Sequence, residues 1–168
     1  MKQKFTVIAI LLLLVQVNSF AQKEPKTSLA ISLPLVVEEG IYSLVVSDNI
    51  DVVLIPESAD NVKVKATNAV ISKLKVAYSE GRLFLDATKN LKKDERLVVY
   101  IWVNDLENLT LKGDSYAISQ GILQGRDLHI SLSKQASVSL KSKGNVWFDE
   151  PTNHQVLKQK GYFMVTSL

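Results

Sequence analysis

The sequence has no cysteine and only two histidines, and its 168 residues include only seven glycines and four prolines. Without cysteine there is no disulfide framework and no thiol nucleophile, and a structural zinc site would have too few histidine and cysteine ligands. The low glycine and proline content excludes collagen-like and low-complexity chains, and 46% hydrophobic with 22% charged residues is typical of a folded globular protein. We expect neither a metal ion nor a cofactor.

The first 21 residues have the layout of a secretory signal peptide. Two lysines precede an apolar run over residues 5–17, and Ser19 and Ala21 place small residues before the expected cleavage point. The run is shorter than the roughly 20 residues that a membrane-crossing helix needs. We therefore expect cleavage after residue 21, export to the periplasm, the cell surface or the medium, and a mature protein that is not integral to a membrane.

Basic residues are not concentrated anywhere in the remaining chain. Loss of residues 1–21 removes two lysines and leaves 18 basic against 17 acidic side chains. Lys92 and Lys93 lie in the most basic stretch, but Asp94 and Glu95 follow them directly. This balance argues against a nucleic-acid partner. Residues 22–168 are numerous enough to bury one core, so we predict a single domain over this range.

Apolar and polar residues alternate along most of the chain after residue 22. Ile50, Val52 and Leu54 illustrate the pattern, in which every second side chain of a strand faces the core. No stretch keeps helical spacing for three turns. Turn-forming residues separate the alternating runs, at residues 56–61, 80–81, 112–114 and 144–145. The pattern predicts an all-β protein built from short strands, with hairpins concentrated in its N-terminal part.

Glu80 and Gly81 fit the two-residue turn of a β-hairpin. Pairing outward from this turn places apolar side chains together on one face and an opposite-charge pair on the other, so both faces favour the hairpin. The expected partners are Tyr78 with Leu83, Val76 with Leu85, Ala77 with Phe84, and Lys75 with Asp86.

Two segments of the later half resemble each other at an offset of 21 residues. Units of this length, with inward aliphatic and outward Ser or Thr positions, are typical of the stacked rungs of a parallel β-solenoid, in which each unit buries its face against its neighbours. An antiparallel β-sandwich whose strands resemble each other by chance is the alternative. The offset aligns Leu109 with Ile130, Leu111 with Leu132, Ser115 with Ala136, and Ala117 with Val138.

A series of spaced aliphatic residues and glycines runs from about residue 40 to residue 140. It comprises Ile50-Asp51-Val52-Val53-Leu54, Val62-Lys63-Val64, Leu74-Lys75-Val76, Gly81-Arg82-Leu83-Phe84-Leu85, Val99-Tyr100-Ile101-Trp102-Val103, Leu106-Glu107-Asn108-Leu109 and Lys112-Gly113-Asp114-Ser115. This series resembles the putative auto-transporter adhesin head GIN domain family. The resemblance implies an exported protein of a Gram-negative envelope with a right-handed β-solenoid fold. It also implies surface binding, and it supplies no catalytic residue.

The chain departs from that family at two places. Residues 133–136 read Ser-Lys-Gln-Ala where a glycine-containing turn is expected, and the repeating pattern stops soon after residue 140. We therefore expect a short solenoid with residues 147–168 as a less regular C-terminal cap. The residues before Gly40 are expected to cap the other end.

No group of residues has the composition and spacing of a catalytic site, so we predict that the protein is not an enzyme. The alternative is a carbohydrate-active enzyme on a β-solenoid, which would need two carboxyl groups about 5 to 9.5 Å apart. The candidate pairs are Asp48 with Asp51 and Glu57 with Asp60, although turns also favour such residues. The two histidines, His129 and His154, have no spacing that links them and are expected to be solvated on the surface.

Aromatic residues provide the candidate binding site. If Val99 and Ile101 face the core, Tyr100 and Trp102 face outward, and the hairpin places Phe84 on an outer face as well. Exposed rings beside polar donors could bind a glycan or a protein surface. The alternative is that a C-terminal segment containing Tyr162, Phe163 and Val165 covers these rings. The predicted function is therefore recognition or adhesion, with a purely structural envelope scaffold as a further alternative.

Overall fold

The computed structural model describes residues 29–32, 40–47, 49–57, 62–66, 71–87, 95–103, 105–133, 135–149, 154–159 and 162–167. The predicted signal peptide lies outside these ranges. Within them, no helix has the length and apolar character needed to cross a membrane. The all-β prediction is confirmed by the fourteen strands of the described ranges: β1 (Leu29–Ser32), β2 (Ser43–Val46), β3 (Ile50–Ile55), β4 (Val62–Ala66), β5 (Leu74–Ser79), β6 (Arg82–Ala87), β7 (Leu97–Trp102), β8 (Asn108–Leu111), β9 (Tyr116–Leu123), β10 (Asp127–Leu132), β11 (Ser137–Ser142), β12 (Asn145–Phe148), β13 (His154–Gln159) and β14 (Tyr162–Ser167).

The strands form two sheets that are mostly parallel. The eight-stranded sheet has the order β1-β4-β7-β3-β9-β11-β14-β13, and the six-stranded sheet has the order β12-β10-β8-β2-β6-β5. Four successive strand pairs, β2 with β3, β6 with β7, β8 with β9, and β10 with β11, each place one strand in either sheet. The pairings between them are parallel, which departs from the antiparallel sandwich considered above.

The 21-residue repeat is confirmed as a structural register. Ile130 lies opposite Leu109 on β10 and β8, and Val138 lies opposite Ala117 on β11 and β9. The register then shifts between Ser139 and Lys141, because β9 contains a bulge near Gly121. Two equivalent strand pairs therefore stack on each other with their aliphatic side chains aligned.

The core lies between the two sheets and forms one continuous cluster. Alternation along each central strand sends every second side chain inward, and the inward residues are almost all Leu, Ile or Val. Each such side chain stabilises the fold by about 1.5–3 kcal/mol when fully buried. The largest fully buried ones include Leu44, Ile50, Leu54, Leu83, Leu85, Leu97, Ile101, Leu109, Leu111, Ile130 and Leu140.

The predicted hairpin is also confirmed, in the predicted register. Glu80 and Gly81 both have positive φ, of 48° and 68°, as a type I′ turn requires. A Cβ atom at Gly81 would clash with the ring of Tyr42, whose hydroxyl donates a hydrogen bond to the Glu80 carbonyl oxygen. Glycine at position 81 therefore allows the positive φ of the turn and also leaves room for the ring of Tyr42, which precedes β2.

The C-terminal strands extend the eight-stranded sheet. β14 pairs antiparallel with β11, and β13 pairs with β14 at the sheet edge, while β1 lies at the opposite edge beside β4. Phe163 is buried, with its ring 6.4 Å from that of Phe148. Phe163 therefore does not cover the outward rings, as the alternative for this segment supposed, because β14 joins the sheet edge to edge and sends this ring into the core.

Candidate functional site

The three rings predicted to bind do not share one face. Phe84 stands on β6 at the outer face of the six-stranded sheet, where 41% of it is exposed. Tyr100 and Trp102 lie half-buried on β7 in the eight-stranded sheet. Alternation within each strand correctly separates inward from outward residues, but β6 and β7 belong to opposite sheets. Binding by any of the three rings stays a prediction.

The outer face of the six-stranded sheet, called here the six-strand face, carries side chains in rows that cross the strands. These residues point outward because their neighbours along each strand, such as Leu128 and Ile130 on β10, are buried. The parallel register aligns one row as Arg82, Ser43, Asn108, His129 and Trp147, and the next as Phe84, Val45, Thr110 and Ser131.

One end of the six-strand face contains an open groove of about 380 Å³ around Phe84, called here the Phe84 groove. Val45 and Ala77, directly opposite Phe84 on the neighbouring strands, are smaller than the ring and leave it 41% exposed. Lys75 and Lys112 supply hydrogen-bond donors to the groove, and other lining residues include Ser47 and Asp86. An apolar ring surrounded by donors and acceptors suits a ligand that has an apolar face and a polar rim.

The other end of the six-strand face contains a larger open groove of about 620 Å³, called here the polar groove. The side-chain amide of Asn145, at the start of β12, donates a hydrogen bond of 2.9 Å to Asp127. Carboxylates, an amide and a guanidinium thus offer both acceptors and donors to this space. Its lining residues are Asp105, Glu107, Asn108, Gly125, Arg126, Asp127 and His129.

His129 and Trp147 stack beside the polar groove, with ring centroids 6.5 Å apart and planes 18° from parallel. Trp147 is 56% exposed. Gly144 makes the arrangement possible, because a Cβ atom there would clash with the Arg126 carbonyl oxygen that accepts a 2.8 Å hydrogen bond from the Asn145 N–H.

The prediction that His129 lies on the surface is confirmed, but the sequence reading missed its partner. The sequence does contain a signal for this partner, because alternation along residues 145–148 places Trp147 on the outward side between Val146 and Phe148. His154 begins β13, where the structure describes the backbone alone.

The carboxylates considered for an enzyme do not line either groove where they are described. Asp51 accepts hydrogen bonds of 2.6 and 2.8 Å from Arg96. Glu57 is exposed near the end of β3, and neither it nor Asp51 lines a groove of the six-strand face. Asp48 and Asp60 lie outside the described residues. The Asp51 carboxylate is therefore engaged in an ion pair that joins two parts of the chain.

Arg96 also bonds Asp114, with a 3.0 Å contact between guanidinium and carboxylate. The hydrogen bond to Asp51 raises the pKa of Arg96 above its usual range, although partial burial opposes this. Partial burial alone would raise the pKa of Asp114, but the Asn49 backbone N–H and the Arg96 guanidinium together hold it below its ordinary value. The cluster fixes the turn before β9 against the entry to β7.

The outer face of the eight-stranded sheet differs in character. Its register aligns Tyr100, Val53 and Ile118 in one row, and Ile122 on the same strand as Ile118 is 52% exposed. This face adds the exposed aliphatic side chains of Ile118 and Ile122 to the half-buried rings of Tyr100 and Trp102. In the part of the chain that the structure describes, no group of three or more His, Asp or Glu residues is arranged to hold a metal ion.

Comparisons with known proteins agree with this architecture. A sequence model of the family described as "Putative auto-transporter adhesin, head GIN domain" matches residues 42–146. No curated protein matches the sequence. Similar solved structures include a putative adhesin from Bacteroides fragilis, at 13% identity and a TM-score of 0.56, which is matched over 74% of this chain and 62% of that one.

Two further structures show the same likeness. The putative adhesin from Parabacteroides distasonis has 15% identity and a TM-score of 0.54, over 73% of this chain and 55% of that one. The putative adhesin from Parabacteroides merdae has 13% identity and a TM-score of 0.57, over 73% of this chain and 51% of that one. The chain thus spans between about half and 62% of the lengths of these proteins, and at such identities the likeness concerns the fold.

Proposed function

This chain belongs to the family of putative auto-transporter adhesin head GIN domains, and from that premise we propose that it is an exported, non-catalytic recognition protein that binds saccharide rings at Phe84. The word adhesin in the names of the solved structures is consistent with a binding role. The signal-peptide layout of residues 1–21 supports export.

The observation that carries the proposal is the exposed ring of Phe84 inside a groove of mixed polarity. A sugar ring has an apolar face of C–H groups and a rim of hydroxyls. The apolar face would stack on the ring of Phe84, and the hydroxyls would bond Lys75, Lys112 and Asp86 at the rim of the groove. Among the described residues, Phe84 and Trp147 are the exposed large hydrophobic side chains of the six-strand face, so this face lacks the contiguous apolar patch that often marks a protein-binding surface.

The scaffold is proposed to be a β-solenoid. The support is the strand order, in which each of four successive strand pairs contributes one strand to either sheet and stacks in parallel on its neighbour. Such a ladder holds outward side chains at fixed spacings, which suits recognition more than chemistry. Asp51 supports a non-catalytic role, because its two oxygens are held by Arg96 and it lines neither the Phe84 groove nor the polar groove.

The test is a glycan array probed with the mature protein and two variants. Phe84→Ala removes the stacking ring, and Ile122→Ala is the matched control, an exposed apolar residue on the other sheet. We expect the wild type and Ile122→Ala to retain the same glycans and Phe84→Ala to lose at least about tenfold in affinity, since burial of a Phe side chain is worth about 1.5–3 kcal/mol and about 1.4 kcal/mol is tenfold in affinity.

Other outcomes identify the alternatives. If the array retains no glycan and a pull-down from envelope extracts captures no partner, the results would favour a purely structural envelope scaffold. Loss of glycan retention in Tyr100→Ala or Trp102→Ala, with Phe84→Ala unaffected, would move the site to the eight-stranded sheet. Cleavage of a retained glycan, abolished by Asp51→Asn or Glu57→Gln, would favour the carbohydrate-active enzyme.

A further inference from the structure

We infer that Trp147 and the polar groove form a second saccharide subsite, so that the ligand is a linear oligosaccharide lying across the strands of the six-strand face. This inference rests on the proposed function at Phe84 and extends it to a position that the sequence reading did not assign. It specifies the shape of the ligand as an extended chain, not a single sugar or a compact branched group.

The first support is that the two rings stand on the same face. Among the described residues, Phe84 and Trp147 are the two strongly exposed aromatic side chains, and both belong to the six-stranded sheet. Their strands, β6 and β12, are separated by β2, β8 and β10. Four inter-strand steps of about 4.8 Å, together with an offset of two residues or roughly 6.6 Å along the strands, place the rings about 20 Å apart. One sugar ring cannot span that distance, whereas an extended oligosaccharide can.

The second support is the surface between the rings. Asn108 on β8 and Ser131 on β10 stand outward along this path, and Ser43 and Thr110 continue the polar rows. Their side chains are short and carry both donors and acceptors, and the Ser131 hydroxyl donates to the exposed carboxylate of Asp149, which adds a further acceptor beside the path. Val45 and His129 are the larger outward side chains between the two rings. Phe84 and Trp147 belong to adjacent rows, so the path crosses the strands obliquely and passes from one row to the next.

The third support is the fixed position of Trp147. Its indole stacks on His129, the Gly144 turn holds the start of β12 against Arg126, and the next residue, Phe148, packs on Phe163 in the core. With its backbone held on either side in the chain and its ring in contact with His129, the indole loses little conformational entropy when a ligand stacks on its exposed surface. The polar groove beside it supplies the acceptors Asp105 and Asp127 for hydroxyl groups.

Two linked subsites have a measurable consequence. A glycan long enough to reach both rings binds the second subsite at a high effective concentration, so its affinity rises sharply at one chain length. A disaccharide binds at the Phe84 groove alone. Trp147 should therefore matter for long glycans and not for short ones.

The experiment uses each linear glycan that the array retains, prepared as oligosaccharides from disaccharide to octasaccharide, and isothermal titration with the mature protein. We expect the affinity to rise at least about tenfold once the glycan spans both rings. Trp147→Ala should remove this rise and leave disaccharide binding unchanged, while Trp147→Phe should keep most of it. Phe84→Ala should weaken binding at every length. Unchanged thermal unfolding of the variants controls for folding.

The failure of this inference is distinguishable from the failure of the proposed function. If affinity depends on Phe84 but is equal for all lengths, or if Trp147→Ala matches the wild type throughout, the second subsite is overturned and the Phe84 site stands. If the array retains no glycan, or if Phe84→Ala binds as the wild type does, the proposed function itself fails.

Discussion

Arg96 donates hydrogen bonds of 2.6 and 2.8 Å to the two carboxylate oxygens of Asp51, which lies 45 residues earlier in the chain. The same guanidinium reaches the carboxylate and the carbonyl oxygen of Asp114. One side chain thus ties the start of β3, the entry to β7 and the turn before β9 together.

Replacing Arg96 should therefore destabilise the fold. Arg96→Lys keeps the charge but loses the planar two-pronged contact, and we expect a loss of about 1 kcal/mol in the free energy of unfolding. Arg96→Ala should cost more, because Asp51 and Asp114 would lose their shared cation. Arg82→Ala, an exposed arginine on the six-strand face, is the control. Urea denaturation measures all three, and equal stability of the Arg96 and Arg82 variants would contradict this account.

The lowered pKa of Asp114 predicts a dependence of stability on pH. A carboxyl with a lower pKa in the folded state than in the unfolded state adds stability above its unfolded pKa, about 3.9, and this contribution disappears as pH falls through the folded value. Asp114→Asn should therefore be less stable than the wild type at pH 7, by less than about 1 kcal/mol because the pair is partly exposed. The difference should shrink toward pH 2. A constant difference over this range would contradict the assignment.

Replacement of Ser115 by alanine should stabilise the protein. It is fully buried, and its hydroxyl oxygen has no hydrogen-bond partner among the residues that the structure describes. The 21-residue repeat aligns it with Ala136, which is equally buried. Ser115→Ala should raise the free energy of unfolding by about 1 kcal/mol, since it removes an unpaired polar group without leaving a large cavity. A lower thermal midpoint for Ser115→Ala would show that the hydroxyl has a partner.

Deletion of residues 147–168 should cause aggregation. It would remove β13 and β14 and shorten β12, so that β11 would present an unpaired edge to other molecules. Full-length Trp147→Ala is the control, because it keeps the strands and should stay soluble. Size-exclusion chromatography with light scattering measures the result. A soluble, monomeric truncated protein would show that residues 147–168 are not needed as a cap.

The local sequence pattern was sufficient to predict strand pairing where the paired residues are close in sequence or belong to repeated units. Glu80 and Gly81 fix their hairpin register because a two-residue turn determines every pair that follows it. The alignment of Leu109 with Ile130 predicts their pairing because equivalent residues of stacked units occupy equivalent positions. Alternation likewise placed Val99 and Ile101 in the core.

The candidate site was only partly predictable. Phe84 was identified as an outward ring, but its separation from Tyr100 and Trp102 depends on which sheet each strand joins. The contact of His129 with Trp147 depends on the pairing of β10 with β12, which no local pattern specifies. The ion pair of Arg96 with Asp51 joins residues whose proximity only chain crossovers create.

By itself, the sequence determined that this is a β protein, which side of β3, β6 and β7 is buried, where one hairpin turns and which two units are alike. These features follow from side-chain periodicity and turn chemistry over a few residues. The tertiary structure alone decided which outward side chains become neighbours, because that depends on the order in which distant strands assemble into two sheets. Phe84 and Trp147 share a face for that reason, although 63 residues separate them in the chain.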